Sequence, residues 1–247
     1  MKTSDFQTVD ALQAKLESLR PLPAETLASL RDYYRVGLTW SSNALEGNTL
    51  DESETKVVVE DGLTVAGHPL REVYEAAGHA AAFDRLQELV RKSPIEAADV
   101  LRLHRLFYEK IDSDQAGVWR SVRIVVSGSS HRFPAPADVP ALMDDFIRWW
   151  AETENTLHPV EFAARVHLKF IFIHPFTDGN GRVARLLMNL ALLRAGWPIA
   201  PIPPVLRADY IQALSHAGRA PARFILFLRD RVRETQREIL RLLGERP

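Results

Sequence analysis

An all-α fold with one small β-hairpin is the fold class that this sequence predicts. Apolar residues recur at intervals of three and four along most of the 247 residues, which is the spacing of a helix face. Proline and glycine separate these periodic runs. One run differs, because residues 121–133 read SVRIVVSGSSHRF, in which five β-prone residues meet a Ser-Gly-Ser-Ser turn. That run predicts the hairpin.

The periodic runs predict ten helices. The second should stop at Gly47, because glycine suits the position just after a helix end. Thr49 to Glu52 then resembles a capping box, which opens the third helix. The chain contains no low-complexity linker, so we expect one compact unit with an N-terminal helical region at 1–95 and a core domain at 96–247. The predicted helices are 6–19, 24–45, 50–61, 70–91, 96–111, 138–152, 159–173, 181–195, 207–217 and 221–243.

Composition excludes several classes of function. The formal net charge is −1, so no overall field favours nucleic acid or an anionic membrane. The absence of cysteine excludes disulfides, thiolate catalysis and cysteine-bound zinc. The N-terminus has no apolar signal core, and no run reaches membrane-spanning length. We therefore expect a cytoplasmic protein that binds neither nucleic acid nor membrane.

Residues 174–185, which read HPFTDGNGRVAR, carry the chemistry. A new helix is predicted to start near Gly181, where backbone amides lack intrahelical acceptors and the helix dipole is positive. Gly179 and Gly181 allow the backbone to curl around an anion. Arg182 and Arg185 are three residues apart on one helix face, and guanidinium groups suit phosphate oxygens. The run therefore predicts a polyphosphate site.

Two further side chains of this run indicate a reaction at that site. Asp178 would repel a phosphate unless a cation lay between them, and Mg²⁺ prefers one or two carboxylates together with phosphate oxygens. His174 at the rim of the loop has a side chain suited to general-base work near neutral pH. Each fragment alone is more typical of a turn, a loop or a salt-bridged arginine. Their coincidence favours attack on a nucleotide phosphate by a hydroxyl whose proton passes to His174.

The run resembles the signature of the Fic family, H-x-F-x-[D/E]-G-N-G-R-x-x-R, with every fixed position filled. Similarity extends from about residue 33 to residue 215 and includes Gly117-Val-Trp-Arg120 and Arg207-Ala-Asp-Tyr210. The resemblance implies a helical domain that transfers AMP from ATP to a protein hydroxyl, with Mg²⁺ as cofactor. The glycine before Arg182 argues against the phosphotransferase branch of the family, which has lysine there.

The resemblance also implies a role for each site residue. The base would be His174 and the metal ligand Asp178. Tyr210 matches a position near the nucleobase, although an ordinary buried tyrosine is an equal reading of it. The implied nucleotide-binding residues are Gly179 and Gly181 through their backbone, Asn180 on the α-phosphate, Arg182 and Arg185 on the β- and γ-phosphates, and Tyr210.

A second run, Ser42-Asn-Ala-Leu-Glu46-Gly47, resembles the inhibitory motif [S/T]-x-x-x-E-[G/N] of the same family. On its own, Glu46 reads as an exposed glutamate before a glycine cap. The resemblance implies instead that Glu46 pairs with Arg185 and blocks the γ-phosphate, with Ser42 supporting its geometry. An inhibitory helix upstream of the core is the class II arrangement. We therefore expect an autoinhibited adenylyltransferase.

Partners and rival functions complete the expectations. In the family, a hairpin flap such as 121–133 clamps the target protein by strand pairing, although a plain structural excursion is the alternative. The terminal helix either caps the core or forms a homodimer contact. His167 reads as a core histidine more than as a metal ligand. Rival functions are removal of AMP, transfer of another nucleotide or phosphate-linked group, and ATP sensing without catalysis.

Overall fold

Ten α-helices make up the described part of the chain, close to the ranges that periodicity predicts. The computed structural model describes residues 5–126 and 131–246. The third helix continues into a π-helical turn, Val57–Asp61, and short 3₁₀ turns precede the sixth and ninth helices. The helices are α1 (Gln7–Ser18), α2 (Ala24–Ala44), α3 (Glu52–Lys56), α4 (Leu70–Leu89), α5 (Ala97–Tyr108), α6 (Val139–Thr153), α7 (Pro159–Ile173), α8 (Asn180–Arg194), α9 (Arg207–Ala217) and α10 (Pro221–Leu242).

The predicted β-hairpin at 121–133 is wrong. Residues 121–126 and 131–133 form no strand, and the turn of the prediction, 127–130, lies outside the described residues. Val122 and Val125 are 53% and 96% exposed, whereas Ile124 and Val126 are half-buried. Only part of this β-prone segment therefore packs against the rest of the protein.

Arg120 donates hydrogen bonds to backbone carbonyls near both ends of this segment. Its buried guanidinium group donates to the carbonyls of Val122 at 3.0 Å and Pro134 at 2.8 Å. Its Nε donates to the carbonyl of His174 at 2.7 Å. The segment is thus fixed at both its ends beside the loop after α7. A sequence pattern of β propensity does not reveal such a side-chain anchor.

The centre of the fold is formed by α7 and α8. Both helices are buried over most of their length, and α8 is buried from Arg182 to Leu192. The sequence predicts one apolar face for α8, but burial on all sides makes it the central helix, with α2, α4, α5 and α7 in contact with it. The loop that joins α7 to α8 lies at one end of this pair. That loop is the signature run.

The outer helices complete the core. The apolar face of α10 contacts α1, α7 and α9, which agrees with the core-capping alternative for the terminal helix. A capping box opens α3 as predicted, but it is formed by Asp51 and Glu54 rather than by Thr49 and Glu52. The chain turns sharply after α2 at Gly47, which has φ +98°. In the described residues, no helix is both long and apolar enough to cross a membrane.

Candidate active site

The loop between α7 and α8 is held rigidly from within. Phe176 is fully buried and stacks on the ring of His104 at 3.8 Å. The Asn180 carboxamide closes the loop, since Oδ1 accepts from the Phe176 amide at 2.9 Å and Nδ2 donates to the Phe176 carbonyl at 2.8 Å. Both polar groups of Asn180 are thus used inside the loop. Its backbone amide, at the start of α8, is the group that remains for a phosphate.

His174 caps α7 in the left-handed conformation, with φ 53°. This conformation is strained for a residue other than glycine, and such strain concentrates at functional sites. Its Nδ1 lies 3.2 Å from the Ile171 carbonyl, which only accepts, so Nδ1 carries the proton. Nε2 is therefore left unprotonated, as a general base requires. Burial lowers the pKa of His174 to about 4, and the Ile171 hydrogen bond opposes that shift only in part.

A pocket of about 510 Å³ opens beside this imidazole. Its wall contains His174, Gly181, Arg185 and Tyr210, which the sequence predicts as site residues. Glu46 lines the same pocket. The segments that carry these groups are the turn after α2, the signature loop, the first two turns of α8 and the first turn of α9. The structure thus brings a base, a helix start, a guanidinium group and a carboxylate to one cavity.

Arg185 is buried, and each of its three guanidinium nitrogens is hydrogen-bonded. Its Nε donates to Ser42 Oγ at 2.9 Å, and one terminal nitrogen donates to the Ser42 carbonyl at 2.8 Å. That nitrogen also lies 2.7 Å from Glu46 Oε1, and the other donates to the Tyr210 hydroxyl at 3.3 Å. The structure therefore brings the predicted inhibitory residues to Arg185. Ser42 acts on Arg185 directly, whereas the sequence expectation was that it supports Glu46.

Glu46 lies over the start of α8. A Cβ added to Gly181 would stand 2.1 Å from Glu46 Oε1, so the carboxylate occupies the space directly above that glycine. Protein atoms surround the Glu46 side chain, but it is 38% exposed because it faces the open pocket. Burial alone would raise the pKa of Glu46, but the charge and hydrogen bond of Arg185 outweigh it and lower that pKa. Glu46 is thus ionised, and its carboxylate lies between the buried guanidinium group of Arg185 and the start of α8.

Arg182 does not join Arg185 in the pocket. Its guanidinium group is buried, lies 2.9 Å from Glu75 of α4 and stacks over the ring of Phe107 at 4.9 Å. The sequence predicts that both arginines can face one anion. The structure instead pairs each of them with a different carboxylate.

Asp178 also lies apart from the pocket wall. Its Oδ1 accepts the Gly179 amide at 2.6 Å, and its Oδ2 accepts from Arg71 at 3.0 Å and from the Tyr108 hydroxyl at 3.3 Å. The side chain is 46% exposed. No group of three or more metal-ligating side chains occurs in the described residues. A single exposed carboxylate would suit Mg²⁺, because that ion can take its remaining ligands from phosphates and water.

Tyr210 connects the pocket to the core. It is 3% exposed, and its hydroxyl lies 2.9 Å from His167 Nε2. Burial lowers the pKa of His167 to about 3, so this imidazole is neutral. His167 is thus a core histidine, in agreement with the favoured reading of the sequence. Tyr210 contacts Arg185 and lines the pocket, so its position suits both a structural and a ligand-binding role.

Supporting residues that sequence reasoning missed hold this geometry. His104 of α5 accepts the Gly117 amide at Nδ1, at 2.9 Å, so its protonated Nε2 donates to the Asp178 carbonyl at 3.2 Å. Arg120 anchors the His174 carbonyl. Gly117 and Arg120 are among the residues that carry the family resemblance, so the sequence did contain a signal for these two. No pattern in the sequence pointed to His104.

Comparison with known proteins places this geometry in context. Residues 94–192 match the model of the Fic/DOC family. A curated relative called protein adenylyltransferase Fic, from Nematostella vectensis, is 37% identical over 245 residues, with 97% of this chain and 56% of the relative covered. One of the same name from Drosophila melanogaster is 38% identical, with 95% and 48% covered. The chain thus spans about half the length of these curated relatives.

Solved structures show the same fold. A Fic domain containing signaling protein from Bacteroides thetaiotaomicron superposes with a TM-score of 0.88 at 28% identity, over 97% of this chain and 99% of that one. Fic-1 from C. elegans superposes with a TM-score of 0.85 at 29% identity, over 97% and 73%. The likeness covers α1 and α2 as well as the signature loop, because nearly the whole chain aligns.

Proposed function

The chain belongs to the Fic/DOC family, and we propose that it is a protein adenylyltransferase, which transfers AMP from ATP to a side-chain hydroxyl of a target protein. One observation carries the proposal. The pocket joins an imidazole with an unprotonated Nε2 to the start of a buried helix and to a buried guanidinium group, from His174, Gly181 and Arg185. This set suits transfer at a phosphate.

The reaction that we propose runs as follows. The target hydroxyl oxygen attacks the α-phosphorus of ATP and forms the new P–O bond, while the bond from that phosphorus to the bridging oxygen breaks. Nε2 of His174 takes the hydroxyl proton, and pyrophosphate leaves. The neutral imidazole that burial enforces is available for this step at neutral pH.

The remaining site residues bind and orient. The first amides of α8, at Asn180 and Gly181, would hold phosphate oxygens, helped by the helix dipole. Arg185 would bind the γ-phosphate once it is free of Glu46. Asp178 would hold Mg²⁺, which when bound neutralises charge on the phosphates. Tyr210 would support the nucleobase end of the pocket.

Autoinhibition is part of the proposal. The Glu46 carboxylate pairs with Arg185 and fills the space above Gly181, so it competes with a phosphate for both charge and volume. Its lowered pKa keeps it anionic at neutral pH. Removal of this side chain is therefore expected to start AMP transfer.

The experiment compares four nucleotides. The Glu46→Gly chain is incubated with Mg²⁺ and with each of ATP, GTP, CTP and UTP, all labelled on the α-phosphate, and label on protein is counted. We expect label from ATP, and its loss in the same chain carrying His174→Ala. Label from another nucleotide alone would replace AMP by that nucleotide in the proposal. Tight ATP binding with no label would favour an ATP sensor.

A further inference from the structure

Four charged side chains form a closed ring beside the signature loop. Arg71 lies 3.3 Å from Glu75 and 3.0 Å from Asp178. Arg182 lies 2.9 Å from Glu75 and 3.8 Å from Asp178. Two cations and two anions thus alternate around this charge quartet, so each charge has an opposite charge on both sides. Two of the four members, Arg71 and Glu75, come from α4 rather than from the signature.

The quartet keeps two signature residues away from the nucleotide pocket. Neither Asp178 nor Arg182 is among the described residues that line it. Both Asp178 oxygens are already engaged, with the Gly179 amide on one and with Arg71 and Tyr108 on the other. The guanidinium group of Arg71 lies 3.0 Å from Asp178 Oδ2, so it occupies the place of a metal ion bound to that oxygen.

We propose that Arg71 competes with the divalent cation for Asp178, so that α4 restrains the metal side of the site as Glu46 restrains the phosphate side. Arg71 is then a positioning residue, because it acts through Asp178 and does not touch the reacting atoms. The inference rests on the proposed function, since it assumes that Asp178 holds the metal. The two restraints are separate contacts, one on α4 and the other on the turn after α2.

Burial decides which member of the quartet is exchangeable. The side chains of Arg182 and Glu75 are 3% and 10% exposed, and Glu75 also binds the side chain of Asn48. Arg71 is 55% exposed, and its described contacts are the two carboxylates of the quartet. Exposed ion pairs are weak and are screened by salt. Arg71 can therefore yield Asp178 to a doubly charged ion, and its replacement leaves the core intact.

The test measures metal affinity rather than activity. Mn²⁺ replaces Mg²⁺ as a paramagnetic probe, and an ATP analogue with a methylene bridge between the α- and β-phosphates prevents transfer. Mn²⁺ binding to the full chain saturated with this analogue is followed by electron paramagnetic resonance. The variants are Arg71→Ala, Arg71→Lys, Asp178→Ala and Arg148→Ala. Arg148 is the matched control, because it is 64% exposed and paired with one exposed carboxylate, Asp145, on α6.

We expect Arg71→Ala to bind Mn²⁺ about two- to five-fold more tightly than the wild type, the range that an exposed ion pair allows. Arg71→Lys should stay nearer the wild type, and Arg148→Ala should match it. Equal or weaker Mn²⁺ binding in Arg71→Ala would overturn the inference. If the Asp178→Ala chain still binds the analogue and its Mn²⁺ affinity equals that of the wild type, the metal role of Asp178 in the proposed function is refuted instead.

Discussion

The contact between Glu46 and Arg185 gives the prediction that can be worked furthest. Glu46→Gln keeps the size of the side chain and removes its charge, whereas Glu46→Gly removes both. The lost contact is a 2.7 Å hydrogen bond between charged groups, with the arginine 2% and the glutamate 38% exposed. Residues 45–47 form a turn outside α2, so a glycine at 46 does not interrupt a helix.

The size of the effect follows from that exposure. A hydrogen bond to a charged partner contributes about 1.5–3 kcal/mol, and partial exposure of Glu46 reduces this to about 1–2 kcal/mol. Loss of that competition should tighten ATP binding by about 5- to 30-fold in Glu46→Gln. Glu46→Gly should show a larger gain, because it also clears the space above Gly181.

The assay combines calorimetric titration with ATP and Mg²⁺ and the initial rate of self-labelling. Glu60→Gln is the matched control, since Glu60 is 39% exposed and paired with one lysine, Lys56, away from the pocket. We expect ATP affinity and labelling to rise in the order wild type, Glu46→Gln, Glu46→Gly. Equal values in all three chains, or an equal gain in Glu60→Gln, would refute the reasoning.

Three further predictions follow from the loop and the pocket. In the Glu46→Gly chain, kcat/KM should stay constant from about pH 9 to about pH 5 and fall below that. The reason is that burial lowers the pKa of His174 to about 4, and the base works unprotonated. A fall in kcat/KM centred near the ordinary histidine pKa of about 6.5 would contradict this. Gly179→Ala should lower the free energy of unfolding, measured in urea, by about 2–4 kcal/mol, since φ is +77° and a Cβ would lie 2.4 Å from a buried phenylalanine ring. Gly218→Ala is the control, because a Cβ there would meet no atom within 4 Å, and it should change the free energy of unfolding by less than about 1 kcal/mol. In the Glu46→Gly chain, Tyr210→Phe should weaken ATP binding about two- to ten-fold in calorimetry, because it removes the hydroxyl that holds the last arginine of the signature, and unchanged affinity would remove Tyr210 from the nucleotide site.

The helical part of the fold was predictable because it is encoded locally. The two helices that flank the signature loop have apolar spacing along their whole length, and α7 begins and ends where the sequence predicts. The hairpin prediction was wrong because strand pairing is not encoded by local residues alone. β propensity at 121–126 reports side chains that suit a pleated surface, but a strand also needs a neighbouring strand to pair with. The structure instead places the guanidinium group of Arg120 against backbone carbonyls of this region.

The residues of the candidate site could be named from the sequence only as far as the motif extends. The signature residues and Glu46 could be named from sequence, and the structure brings Glu46 to Arg185. The pairing of Arg182 with Glu75 could not be predicted, because Glu75 is a buried carboxylate in α4 that belongs to no recognisable pattern. Spacing places two arginines on one helix face but does not say which neighbouring charge each will meet.

The position of the transferred phosphate tests the central proposal most directly. The Glu46→Gly chain is incubated with Mg²⁺ and with ATP labelled on either the α- or the γ-phosphate, and protein-bound label is compared. Transfer of AMP predicts label from the α-phosphate, none from the γ-phosphate, and loss of label in the chain that also carries His174→Ala. Label from the γ-phosphate, or α-label that survives His174→Ala, would contradict it.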